Sequence, residues 1–193
     1  MNHADMTLDH ERRLRHLEAL ERLFTPAWND YVVSAHSMRD GVTPPLWSAW
    51  NGALRSPEFS NAATRDLHCS FELLHDWKEG SDFEVHAHWT PSTTNTGNCK
   101  WGLDYCILST TGASAAPTTV TITPAANGVV RQESISSFGT ISGAGLTIGT
   151  IIDVRIYRLG TDAADTFTGS AFLHSVGLHH LSDTLGSRTS TVK

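Results

Sequence analysis

The sequence predicts a mainly β protein, an antiparallel jelly-roll-like sandwich preceded by an N-terminal helix and an extended arm. After Leu67, apolar and polar residues alternate with a period of two in a series of short runs. Segments rich in Gly, Asn, Asp and Pro, which turns require, separate these runs, and no helical pattern interrupts them. A sandwich of the jelly-roll kind closes many short strands around one core.

The first element is a predicted helix over residues 8–24. Leucines recur there at spacings of three to four, and Thr25-Pro26 ends the pattern. An isolated helix of this length is marginally stable, so its apolar face must pack on something. We expect it to pack either on its own domain or on a sister subunit or larger shell.

Residues 27–66 are aromatic but irregular, because glycines, prolines and polar residues interrupt any period. We interpret this stretch as an extended arm that tryptophans pin to a surface. The predicted organisation is an N-terminal helix and anchoring arm over 1–66, a β domain over 67–182 and a C-terminal tail over 183–193. The predicted assembly interface consists of Leu14, Leu17, Leu20, Phe24, Trp28, Trp47 and Trp50.

The run at residues 82–90 shows the strand pattern most clearly. Its apolar side chains share one face, and Glu84, His86 and His88 share the other. Similar runs lie at 67–75, 100–109, 118–123, 129–138, 150–159 and 168–182. The total is seven predicted strands, or eight if the long last run forms two.

Size and charge narrow the possible functions. A chain of 193 residues can form one substantial core with an appendage. Its net charge of -6 comes from scattered residues, which argues against nucleic acid as a partner. No apolar stretch approaches the roughly 20 residues that a membrane span needs, and the start lacks the apolar core of a secretory signal. We expect a protein made in a cytoplasm, with no membrane partner.

The three cysteines form no CxxC pair, so neither a zinc knuckle nor a disulfide framework is indicated. Cys69 and Cys106 lie in apolar runs and are predicted to be small buried residues. The motifs of serine hydrolases, zinc proteases and P-loop proteins are absent from the sequence. We therefore predict no catalytic residue, no cofactor and no enzymatic activity. The segment at residues 143–145 is not followed by a helical pattern, so it is interpreted as a tight turn and not as a phosphate-binding loop. Asp153, Arg155 and Arg158 are expected to form cross-strand ion pairs.

Eleven histidines are many for this length. His86 and His88 project from one face of a strand and can present two imidazoles to one metal ion. Gly80 and the following His86-Ala87-His88 resemble the opening of the first cupin motif, although the later cupin residues are absent. Further ligands of this predicted metal site could be His75, Glu84, His179 or His180. The competing interpretation is that these imidazoles form hydrogen bonds across strands or subunits.

Several segments resemble a group of phage and prophage virion proteins. In that group a His-Asp-x-Lys-x-Gly-(Thr/Ser)-Asp turn leads into a His-x-His-Trp strand, as in residues 71–89 here. The chain then closes on Gly-(Leu/Ile)-His-(Tyr/His) followed by Asp-Thr-x-Gly-Ser, as within residues 148–188. Residues 101–105 continue the match. The resemblance implies a tailed-phage virion component with a jelly-roll domain, of the head decoration or cement, fibre-base or neck type.

The virion hypothesis implies particular partners. These would be major capsid, portal or neck, or tail subunits, with the protein assembled in a host bacterial cytoplasm and located in the virion. A homo-oligomer is expected, and a trimer is favoured. Two alternatives stay open: a cupin-like metal-binding protein or enzyme using His86 and His88, and a carbohydrate-binding module of a fibre. The last requires exposed tryptophans in a groove, whereas Trp89 and Trp101 are expected in the core.

Overall fold

The computed structural model describes residues 3–190, and the side chains of residues 9–21 and 25–190 within them. The chain begins with helix α1 (His3–Phe24), and a short 3-10 helix covers Ala35–Ser37. The strands of the described part are β1 (Ala27–Ser34), β2 (Arg39–Asp40), β3 (Leu46–Asn51), β4 (Leu54–Phe59), β5 (Thr64–Glu72), β6 (Phe83–Pro91), β7 (Trp101–Ile107), β8 (Thr118–Ile122), β9 (Ser134–Ile141), β10 (Ile151–Leu159) and β11 (Ala171–Ser182).

The strands form two antiparallel sheets packed as a sandwich. One sheet has the order β3-β4-β11-β6-β9, with β1 also paired to β11. The other has the order β2-β5-β10-β7-β8. Strands distant in the sequence, such as β6 and β11 or β5 and β10, pair side by side in the middle of each sheet. This topology confirms the predicted jelly-roll-like sandwich, and strands β5 to β11 correspond to the runs predicted from Leu67 onwards.

The core lies between the sheets and is dominated by aromatic rings. Trp77, Trp89 and Trp101 are fully buried, as expected for the last two. The indole Nε1 of Trp89 donates a hydrogen bond to Ser136 Oγ at 2.9 Å, which satisfies its polar atom inside the core. Phe59 meets Trp101 edge to face, with 5.1 Å between ring centroids. Each buried aromatic side chain stabilises the fold by about 1.5–3 kcal/mol.

Cys69 and Cys106 were predicted to be buried, and the structure buries them only partly. Cys99 is fully buried, whereas Cys69 and Cys106 are half-buried. All three are free thiols. Burial raises the pKa of Cys69 to about 12, with a smaller contribution from the Asp153 carboxylate.

The side chains of Arg158 on β10 and of Asp165 are both fully buried. Its Nε and Nη2 donate to the two carboxylate oxygens of Asp165, both at 2.8 Å. Its Nη1 donates to the carbonyl oxygens of Phe59 and Gly169, and its Nη2 also donates to that of Phe167. All five N–H donors of the guanidinium therefore have partners. Asp165 lies in the loop after β10, so this pair joins a strand to a loop rather than two strands.

Arg155 forms the cross-strand ion pairs that the sequence predicted. It contacts Asp66 on β5 at 2.8 Å and Asp104 on β7 at 3.0 Å. Burial alone would raise the pKa of Asp66, but hydrogen bonds from Arg155 and from the backbone of Thr43 outweigh it and lower that pKa. Asp153 makes no ion pair with the residues that the structure describes.

The interpretation of residues 27–66 as an extended arm is wrong. These residues form β1 to β4 and the start of β5, and they belong to both sheets. Trp47 and Trp50 pack against the imidazoles of His36 and His174, with ring centroids 5.2 and 4.7 Å apart. Strands β2 to β4 are short and are separated by turns, and the first half of β1 is exposed throughout, so the sequence showed no clear alternation.

The helix α1 is present as predicted, but its leucine face is not covered. Leu14 is 45% exposed and Leu17 is 59% exposed, while Leu20 is half-buried. These leucines therefore do not pack into the sandwich core of their own chain. The side chain of Phe24 and residues 191–193 of the predicted tail lie outside the described residues.

Candidate functional site

The outer face of the larger sheet carries the polar residues that the sequence singled out. Alternation along β6 turns Glu84, His86 and His88 away from the aromatic core, as predicted. The strand register places Asp30 of β1 opposite His179 of β11, and His179 opposite Glu84. We call these five residues the histidine face.

His86 is 4% exposed although it belongs to the outer face. Its register partner on β11 is Gly177, and a Cβ atom there would collide with the His86 imidazole. The absence of a side chain at Gly177 therefore lets this ring lie across β11 towards β1. The ring packs against His179 and His88, with centroids 4.2 and 4.9 Å apart.

Asp30, His86 and His179 converge on one point of this face. The Oδ2 atom of Asp30 lies 3.8 Å from Nε2 of His86 and 3.8 Å from Nε2 of His179. The potential ligand atoms of the three residues all lie within 4.8 Å of one another. Among the described residues, the buried Nδ1 of His86 has no hydrogen-bond partner. We call these three residues the Asp30 cluster.

The protonation state of His86 follows from its surroundings. Burial lowers the pKa of His86, and the neighbouring His179 imidazole lowers it further, while the Asp30 carboxylate acts in the opposite direction. The imidazole is therefore neutral near pH 7, where a ring nitrogen can offer a lone pair to a metal ion.

The structure revises the predicted metal ligands. His88 hydrogen-bonds Glu133 Oε1 through its Nδ1 at 2.7 Å and is not part of the Asp30 cluster. Of the additional candidates, His179 joins His86. His75 hydrogen-bonds Ser187, and His180 faces Asp76 at 3.4 Å, away from the cluster.

Asp30 was missed because it falls in the segment interpreted as an arm. Its partners come from β6 and β11, which are separated by some 90 residues in the sequence, so only the register brings them together. An Asn-Asp pair before a Tyr-Val-Val run was the available sequence signal for a strand at this position.

A second feature is an open cleft where β1 approaches β5. Its volume is about 510 Å³, which is within the usual range of small-molecule sites. Tyr31 and the two valines that follow it line one side, and Arg39, His68 and Asp153 are among the polar residues of the remaining lining. No tryptophan contributes to this lining.

Comparisons with known proteins match the architecture only. No protein-family model matches the chain, and no curated protein matches it. A CBM35 from Cellvibrio japonicus Abf62 matches with a TM-score of 0.47 and 9% identity over 81% of this chain and 99% of that one. A family 16 carbohydrate-binding module has a TM-score of 0.41 and 10% identity, over 74% of this chain and 92% of its own.

A virus structure is also among the matches. The structure of the infectious bursal disease virus Gx strain matches with a TM-score of 0.38 and 12% identity, over 81% of this chain and 32% of the viral one. None of these similarities assigns a function to this chain. Among its described residues, no helix is both long enough and apolar enough to span a membrane.

Proposed function

We propose that this chain is a non-enzymatic structural component of a tailed-phage virion, which joins sister subunits through its N-terminal helix. The observation that carries the proposal is the exposed leucine face of α1. Leu14 and Leu17 are 45% and 59% exposed in a single chain, and they share one face of the helix with the half-buried Leu20. Exposed apolar stripes of this kind are characteristic of association surfaces.

Sister copies of α1 are the occupants that best suit this face. A helix with an apolar stripe is stabilised mainly by packing that stripe against other helices. The flanks of the stripe carry both signs of charge, as in the Glu11–Arg15 pair at 3.4 Å. Helices with such flanks can associate without accumulating charge of one sign. A bundle of three copies would place three sandwich bodies around one axis.

The end of the helix is suited to a defined connection with the body. The backbone N–H and the Oγ1 hydroxyl of Thr25 both donate to the carbonyl oxygen of Glu21, at 2.9 Å each. Strand β1 starts at Ala27, so Thr25 and Pro26 are the whole connection. A short connection limits how far an associated helix bundle can move from the sandwich.

The resemblance of residues 71–89 and 148–188 to phage virion proteins supports the wider role. It favours capsid, neck or tail subunits as the neighbours of the oligomer.

Light scattering on the purified protein, coupled to size-exclusion chromatography, tests the self-association. The double variant Leu14→Glu/Leu17→Glu places charges on the leucine face, whereas Ala19→Glu places one on the opposite side of the helix. We expect the wild type and Ala19→Glu to be oligomers and the double variant to be a monomer. The thermal unfolding of the sandwich should persist in the double variant, because both leucines are already exposed. A wild type that is monomeric at micromolar concentration would refute the proposal.

Incorporation into particles tests the virion role. The deletion should remove residues 1–24 and no more, because residues 27–59 contain β1 to β4 of the sandwich. We expect particles assembled with the shortened chain to lack this protein. Full occupancy by the shortened chain would contradict the anchoring role of the helix.

A carbohydrate-binding module is the second candidate, and the cleft between β1 and β5 favours it. The polar groups of this cleft are of the kinds that bind sugar hydroxyls, and Tyr31 contributes an aromatic ring to its lining. The exposed Trp28, 59% accessible, offers a separate stacking surface. A glycan array with the wild type, Arg39→Ala and Trp28→Ala distinguishes the two surfaces. Absence of any saturable glycan binding would eliminate this candidate.

A further inference from the structure

We propose that Asp30, His86 and His179 bind one divalent transition-metal ion of the Zn²⁺ class. The ion would join strand β1 to β11 and β6 on the outer face of the larger sheet. The inference concerns the sandwich alone and does not depend on what the N-terminal helix binds.

The distances suit such an ion after small movements. Zn²⁺ binds imidazole nitrogen at about 2.0–2.1 Å and carboxylate oxygen at about 2.0–2.2 Å, so its neighbouring ligand atoms lie about 3.0–3.5 Å apart. Asp30 Oδ2 is 3.8 Å from Nε2 of each histidine. All three ligand atoms lie within 4.8 Å of one another, so side-chain shifts of up to about an ångström would close the site.

The donor types select the class of ion. Two imidazoles and one carboxylate suit Zn²⁺ and its first-row neighbours, whereas Ca²⁺ and Mg²⁺ prefer oxygen ligands throughout. The side chains of Asp30 and His179 are 35% and 41% exposed. The remaining coordination positions would therefore face solvent and take water or a group from a neighbouring subunit.

His86 is the strongest evidence that this cluster binds something. Its side chain is 5% exposed and its Nε2 is too far from Asp30 for a hydrogen bond, and no group in the described part of the chain pairs with its Nδ1. A buried polar group without a hydrogen bond destabilises a fold. A metal ion bound at Nε2 would give that nitrogen the close partner that Asp30 does not supply, while Nδ1 would carry the proton of the neutral ring. Gly177 provides the space that this arrangement of the ring requires.

The position of the ion has a mechanical consequence. Strand β1 is paired to β11 along one side and directly follows the helix connection. An ion held by residues of β1, β11 and β6 would cross-link this strand to the centre of the sheet. A pull on the helix would then be resisted by metal–ligand bonds as well as by the strand ladder.

The test uses the full-length protein after removal of metal with EDTA. Zn²⁺ binding is measured by isothermal titration calorimetry, and Co²⁺ binding by visible absorption. We expect one tight site per chain, with His179→Ala and Asp30→Asn each weakening the affinity at least tenfold. The His179 side chain is 41% exposed, so that variant should nearly keep the unfolding temperature of the metal-free wild type.

Two controls locate the site. His88→Ala removes the second histidine of the motif predicted from the sequence, and His68→Ala removes a half-exposed histidine on the other sheet. Both should bind Zn²⁺ like the wild type. The Leu14→Glu/Leu17→Glu variant should also bind normally, which separates this site from the role of the helix. The proposal is overturned if the wild type binds no stoichiometric Zn²⁺, or if His179→Ala and Asp30→Asn bind as tightly as it does.

Discussion

Replacing Arg158 by methionine should destabilise the sandwich more than any surface substitution. Methionine has a similar length but no charge, so it removes the ion pair while largely filling the space. The Asp165 carboxylate would then stay buried without a cation, and the carbonyl oxygens of Phe59, Phe167 and Gly169 would lose a donor. Breaking a buried pair from one side costs about 3–5 kcal/mol. Since typical domains unfold at about 5–15 kcal/mol, this is a large fraction of the total.

Urea denaturation followed by tryptophan fluorescence measures the effect, because three indoles are fully buried near this core. The matched control is Arg15→Met on α1, whose exposed pair with Glu11 contributes at most about 0.5 kcal/mol. The double variant Arg158→Met/Asp165→Leu should lose less stability than the sum of the two single variants, because no unpaired charge remains. A loss below about 1 kcal/mol for Arg158→Met would refute the assignment of this pair as a structural element of the core.

Three further predictions concern other buried groups. Gly177→Ala should lower the unfolding temperature through a cost of about 1–3 kcal/mol, because the new methyl group collides with the His86 ring; an unchanged temperature would contradict the described packing. The lowered pKa of Asp66 means that its stabilising effect is complete above about pH 4 and is lost as the pH falls through its folded-state value. Asp66→Asn should therefore flatten the acid limb of the stability profile measured by urea titration, and an equally steep limb would exclude Asp66 as its source. Because burial raises the pKa of Cys69 to about 12, this thiol should react with Ellman's reagent far more slowly in the folded protein than in urea; equal rates would show that it is accessible.

The strands after Leu67 could be predicted because their alternation is regular and their turns have the expected composition. In β6, the period of two separated the core residues from the polar face correctly. The strands before Leu67 could not be predicted in the same way. There, β2 has two residues, β3 and β4 are joined by a tight turn, and the first four residues of β1 are all exposed, so none of these strands shows a regular period.

For the candidate site, the sequence predicted the histidines of β6 but not the residues that surround them, and the reason is different. The spacing of His86 and His88 showed that they share a face, but a shared face does not determine which neighbours approach. Gly177 leaves space for the His86 ring to lie across β11 towards β1, whereas His88 forms a hydrogen bond with Glu133. Both effects depend on strand register, which a single sequence does not determine for strands so far apart. Arg158 illustrates the same limit, since its partner lies in a loop rather than on the facing strand.

The molar mass of the wild-type protein and of Leu14→Glu/Leu17→Glu in solution tests the proposed assembly role most directly. Light scattering should give three times the chain mass of 21.0 kDa for the wild type and for Ala19→Glu, and 21.0 kDa for the double variant. An oligomer that persists unchanged in the double variant would show that another surface joins the subunits. A wild type of 21.0 kDa would show that the leucine face of α1 does not join copies of this chain.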